Sequence, residues 1–83
     1  MLRMDSIDSL LRVARAYAAA EGVDLSTASW RALGDTKKLA AMEQGADIQV
    51  RRFQRTMVWF SDNWPAEAEW PEGIERPVQQ VTS

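Results

Sequence analysis

The chain has 83 residues, enough for one small domain with a core of modest size. Apolar residues make up 46% and charged residues 27%, which excludes the polar, highly charged composition of a disordered chain. No apolar run nears the ~20 residues of a membrane span, residues 1–5 carry no signal-peptide pattern, and the absence of cysteine removes disulfide and thiolate chemistry. A cytoplasmic protein with no membrane partner is expected.

The net charge of −2 is unevenly spread. Residues 65–83 hold Glu67, Glu69, Glu72 and Glu75 against Arg76 alone, whereas between positions 31 and 55 six cations (Arg31, Lys37, Lys38, Arg51, Arg52, Arg55) face three anions (Asp35, Glu43, Asp47). A positive middle and an acidic tail suit a compact nucleic-acid face, and equally a charged protein interface.

A first helix is predicted over 6–21. Asp5 caps it and Asp8 faces the positive end of its dipole. Ile7, Leu10, Leu11, Ala14, Tyr17 and Ala18 form one apolar stripe, with Arg12, Arg15 and Glu21 away from it. Gly22 ends the helix, and Val23 and Leu25 anchor the link that follows. Ser26 or Thr27 caps a second helix, on which Trp30 and Leu33 share a face, and Gly34 supplies its left-handed end.

Asp35 or Thr36 then caps a third helix over 36–44, stopped by Gly45. Turned at about 100° per residue, it points Leu39 and Met42 one way and Lys37, Ala40, Ala41 and Gln44 the other, with Lys38 on the flank. Two alanines let that outer face come close to a partner, the lysines suit phosphates, and a glutamine can pair with an adenine edge. An ordinary helical hairpin with a solvated polar face is the plainer alternative.

The fourth helix is predicted over 49–63. Val50, Phe53, Met57, Phe60 and Trp64 recur at 3, 4, 3, 4 and make a buried seam, with Arg51, Arg52, Gln54 and Arg55 on the other side. Trp59 falls on that outer side, where it can stack on a guanidinium, enter a partner, or cover core beneath the tail. The expected core joins Leu10, Leu11, Ala14, Trp30, Leu33, Leu39, Phe53, Met57 and Phe60. Pro65 ends the helix. Trp70 and Ile74 are expected to fold back as an irregular strap, followed by a flexible 78–83. Neither an internal repeat nor a β-hairpin is expected.

Residues for chemistry are scarce. Without histidine or cysteine there is no usual metal site and no usual base for a serine nucleophile. Glu67 and Glu69 read as solvated tail carboxylates, and no glycine loop cradles phosphate. The expectation is a non-enzyme with no cofactor, no metal and no evident small-molecule ligand.

The order of elements, with Ser26, Arg31, Leu33, Gly34, Asp35, Lys37, Lys38, Leu39, Gly45 and the run Trp59-Phe60-Ser61-Asp62-Asn63-Trp64-Pro65, resembles the compact lambda-repressor-like (Cro/Xre-type) helix-turn-helix domains. It looks most like the short versions found in alphaproteobacterial prophages and mobile elements, and the resemblance covers about 10–65. It implies an all-α, four-helix DNA-binding domain over 1–64, with an irregular acidic Pro/Trp tail (65–83) in place of a fifth helix. It implies a transcriptional regulator whose helix 36–44 enters the major groove of double-stranded DNA. Thr36, Lys37, Lys38, Ala41, Gln44, Arg51, Arg52 and Arg55 would then line the DNA, with the cations on phosphates. One short helix reads few base pairs, so a symmetric homodimer on two half-sites is expected, with Val58, Trp59, Trp70 and Ile74 as its interface. The competing reading is a protein-interaction module on the same scaffold, an antiactivator or inhibitor that docks on another regulator or nucleoprotein.

Overall fold

The computed structural model describes residues 4–77, with side chains from Ser6 onward; the expected flexible 78–83 lies outside that set, and Asp5, expected to cap the first helix, is itself part of its helical backbone because that helix starts earlier. The described residues form four helices and no strand: α1 (Met4–Glu21), α2 (Leu25–Leu33), α3 (Lys38–Glu43) and α4 (Val50–Asp62). The protein is all-α. The α1 backbone is already helical at Met4, two residues before the predicted start.

α1 is the element the others pack on, since α2, α3 and α4 all lie against it. That explains why its buried side is wider than one stripe. Leu10, Leu11, Ala14, Tyr17 and Ala18 are buried as expected, and Val13, outside the predicted stripe, is fully buried as well. A helix contacted from three sides needs more than a narrow apolar line.

α2 starts one residue before its predicted caps. Asp24 is the N-cap, its carboxylate accepting from the Thr27 amide at 2.9 Å and the Ser26 hydroxyl at 3.0 Å. Hydrogen bonds from Thr27, side chain first and amide second, and then from Ser26 hold the Asp24 carboxyl below the ordinary carboxylate range. Leu25, Ala28, Ser29 and Ala32 form the inward line. Trp30 lies about 200° round the helix from Ala28 and is 60% exposed, so its predicted core position is wrong. Leu33 is half-buried against the core. Gly34 ends the helix at φ 71°, a left-handed conformation open to glycine without a side-chain clash, and its amide donates to the Trp30 carbonyl at 2.8 Å.

α3 is shorter than predicted. The Asp35 carboxylate accepts from the Lys37 amide at 2.8 Å, closing a turn that takes Thr36 and Lys37 out of the helix. Leu39 and Met42 are buried and Lys37, Ala40, Ala41 and Gln44 exposed, as the helical wheel predicts. Ser29 makes the join to α2: fully buried, its hydroxyl donates to the Asp35 carbonyl and accepts from the Leu39 amide at 3.1 Å.

α4 buries Met57 and Phe60, but the rest of the predicted seam is looser. Val50 is 44% exposed, Phe53 and Trp64 are half-buried, and Thr56 is buried in their stead. Thr56 tolerates burial because its hydroxyl donates to the Arg52 carbonyl at 2.6 Å. Trp59 is not on an outer face. Its ring meets Tyr17 edge-on at 5.5 Å and Phe60 at 5.4 Å, so it covers core.

Beyond α4 a strap folds back over the aromatic end. It contains a short repeat, where none is expected from periodicity. Trp64-Pro65-Ala66-Glu67-Ala68 and Trp70-Pro71-Glu72-Gly73-Ile74 each begin Trp-Pro, and each indole N–H donates to the carbonyl four residues on, at 2.9 and 2.8 Å. The two indoles meet edge-on at 4.8 Å. Arg76 stacks on Trp70 at 5.3 Å and donates to the Ser61 carbonyl at 2.8 Å, while the Ser61 hydroxyl donates to the Pro77 carbonyl at 2.9 Å. Trp70 and Ile74, expected at a dimer interface, are packed against the core of their own chain. Every buried side-chain polar atom among the described residues has a hydrogen-bond partner.

Candidate nucleic-acid interface

The predicted face divides over three elements. Thr36 and Lys37 stand exposed in the turn before α3, Ala40 and Ala41 project from its outer side, and Gln44 is exposed where it ends. The Gln44 amide is used by the helix end, donating to the Ala40 and Ala41 carbonyls, which leaves the carboxamide side chain free to reach outward. Small residues flanked by a cation and a carboxamide make a surface that can approach a groove closely.

The cations sort by whether the protein already uses them. Arg31 donates to the Tyr17 hydroxyl and to Glu21, each at 3.1 Å, and these bonds, Tyr17's first, raise its already high pKa. It therefore belongs to the α1–α2 contact. Arg15 is paired with Glu43, tying α3 to α1. Arg52 donates to the Leu33 carbonyl at 3.2 Å. The side chains of Lys37, Lys38, Arg51 and Arg55 have no hydrogen-bond or ion-pair partner among the described residues, and Lys37, Arg51 and Arg55 are exposed.

Lys38 and Arg52 line one recess of about 360 Å³, completed by Asp47, Ile48 and Gln49 in the loop between α3 and α4. Those three loop residues and Ser29 were not singled out from the sequence. For Ser29 the signal existed, as a lone small hydroxyl on the inward line of α2. For the loop there was none, because it carries no motif.

The residues expected at a dimer interface do not come together as a free patch. Trp59, Trp70 and Ile74 are occupied within the chain, and Val58 is 37% exposed. Val58 instead lines an open groove with Phe53, Met57, Ile74 and Glu75, between α1, α4 and the strap. No group of three or more acidic side chains among the described residues is placed to hold a metal ion. No helix among them is long and apolar enough to cross a membrane.

Compared with models of known protein families, with curated proteins and with solved structures, the chain matches none.

Proposed function

We propose that the protein is a non-enzymatic DNA-binding transcriptional regulator in which α2, the turn after Gly34 and α3 act as a helix-turn-helix. The observation that carries this reading is the outer surface around α3. Ala40 and Ala41 leave it low, Gln44 and Lys37 flank it, and the side chains of Lys37 and Lys38 at the start of α3, like those of Arg51 and Arg55 on α4, have no hydrogen-bond or ion-pair partner among the described residues. Cations that a fold does not use for itself are available to phosphates, which supply most of the sequence-independent affinity for a duplex. The resemblance of 10–65 to Cro/Xre-type domains points the same way.

The test is an electrophoretic shift of the protein's own upstream region at two salt concentrations. Binding should weaken steeply as salt rises, since each phosphate contact releases counterions. Lys37→Ala with Lys38→Ala should weaken binding to all sequences, and Gln44→Ala should relax preference at one base position. Sedimentation on a two-half-site duplex gives the stoichiometry, with Val58 the member of the expected dimer patch still open to a second copy.

A second reading is a protein-docking module, an antiactivator or inhibitor on the same scaffold. The exposed Trp30 favours it, because a tryptophan this open is a common anchor in partner pockets. No binding by any fragment of the native locus at low salt, with a protein co-purifying through Trp30, would establish that reading instead.

A further inference from the structure

We propose that Arg52 is a positioning residue of this face and not one of its phosphate contacts. The binding half of the test below rests on the nucleic-acid reading; the inference itself rests on how α3 is held.

α3 has only six residues, and its N-cap residue Lys37 makes no side-chain cap hydrogen bond. So short a helix has little stability of its own and takes its direction from its neighbours. It packs on α1 and α2, while a recess separates it from α4. Yet two of the free cations, Arg51 and Arg55, are on α4, and two, Lys37 and Lys38, are at the start of α3. The spacing between these pairs is therefore set indirectly, through α1 and α2.

Two ties fix α2 between them. The inner tie is Ser29, joined to the Asp35 carbonyl and the Leu39 amide. The outer tie is Arg52. The last carbonyls of a helix have no partner within it, and a cation is favoured at that end by the helix dipole. Arg52 reaches across from the first turn of α4 and donates to the Leu33 carbonyl at 3.2 Å. Its own carbonyl accepts from buried Thr56, which fixes where the side chain starts. A guanidinium turned onto the end of α2 at the edge of the recess shapes the face without meeting a phosphate.

The experiment uses the full chain and the upstream-region duplex that the wild type binds most tightly. Affinity is measured over a salt series for wild type, Arg52→Ala, Arg52→Lys, Lys37→Ala and Arg55→Ala. Losing a phosphate contact should flatten the slope of log affinity against log salt by about one. Lys37→Ala and Arg55→Ala should do this. Arg52→Ala should weaken binding roughly three- to tenfold at every salt concentration, the worth of one hydrogen bond, with the slope unchanged. Arg52→Lys, which keeps a donor for the Leu33 carbonyl, should recover most of the loss.

Amide hydrogen exchange without nucleic acid is measured on the same proteins. Arg52→Ala should speed exchange at Gly34 and Leu39, at the α2–α3 junction, and leave Leu10 in α1 unchanged; a general loss of stability would move all three. If Arg52→Ala flattens the salt slope as Lys37→Ala does, or leaves Gly34 and Leu39 exchange unchanged, the positioning role is wrong. If the wild type binds no duplex, the nucleic-acid reading fails by itself, and the exchange result still decides whether Arg52 holds the junction.

Discussion

The two ends of the molecule solve opposite problems. At one end Tyr17, Trp59, Phe60, Trp64 and Trp70 meet in a run of edge-on ring contacts and one tilted contact, Tyr17 on Trp64, closed by the Trp-Pro strap and its Arg76 latch. At the other, α2 and α3 are joined through one buried serine, Leu39 and Met42 supply most of the apolar anchoring of α3, and the outer surface is alanine and unpaired cation. Large apolar area buried at one end stabilises the chain. That lets the other end keep small side chains and unsatisfied charge, which a binding surface needs and a core does not.

This contrast can be broken most forcefully at Phe60. It is fully buried, and Phe60→Ala should cost about 3–5 kcal/mol, the usual value for emptying a core aromatic site. Denaturant melts should show a much smaller loss for Phe53→Ala, because Phe53 is half-buried and opens onto the groove. Equal losses would mean that α4 is buried evenly along its length and that the aromatic end is not special.

Next comes the strap. Trp70→Ala removes the ring contact with Trp64 and the platform under Arg76. A loss of about 2 kcal/mol is expected, within the range for withdrawing a large apolar side chain from cover. Sedimentation mass should not change if the strap serves only its own chain; a shift from dimer to monomer would return Trp70 to an interface.

At the thin end the expected effect is no larger but more local. Ser29→Ala leaves the buried Leu39 amide without its acceptor, a cost of about 1–3 kcal/mol. It should show as faster amide exchange at Leu39, with the Trp59 environment unchanged in near-ultraviolet spectra. A spectral change as large as that of Phe60→Ala would show that the two ends are one cooperative unit.

The smallest stability effect expected belongs to the Asp24 cap, and it depends on pH. The folded-state pKa of Asp24 is lowered, so its contribution is full above the unfolded value of about 3.8 and is lost as pH falls through the folded one. Melting temperature should drop on acidification below that point, and Asp24→Asn should make the acid limb shallower. An unchanged limb would mean that Asp24 is not the working cap.

Much of the helical layout was legible in the residues. Three glycines, at 22, 34 and 45, mark the ends of α1, α2 and α3, and the outward set Lys37, Ala40, Ala41 and Gln44 follows from helical geometry alone. These are local properties: a helix end or a helix face depends on neighbours within about four residues.

What only the tertiary structure decided is which faces find cover. Helical pattern places Trp30 in the core and Trp59 on an outer side, yet Trp59 meets Tyr17 from α1 while Trp30 is 60% exposed. Arg51 and Arg52 are adjacent cations on one helix, yet Arg52 donates to the end of α2 while the Arg51 side chain has no partner among the described residues. Cover and hydrogen-bond partners come from elements far apart along the chain, and periodicity within one helix carries no information about where another will lie. Local sequence pattern therefore determined an all-helical chain with a positive middle, while packing decided which of its cations and aromatics are left without a partner inside the fold.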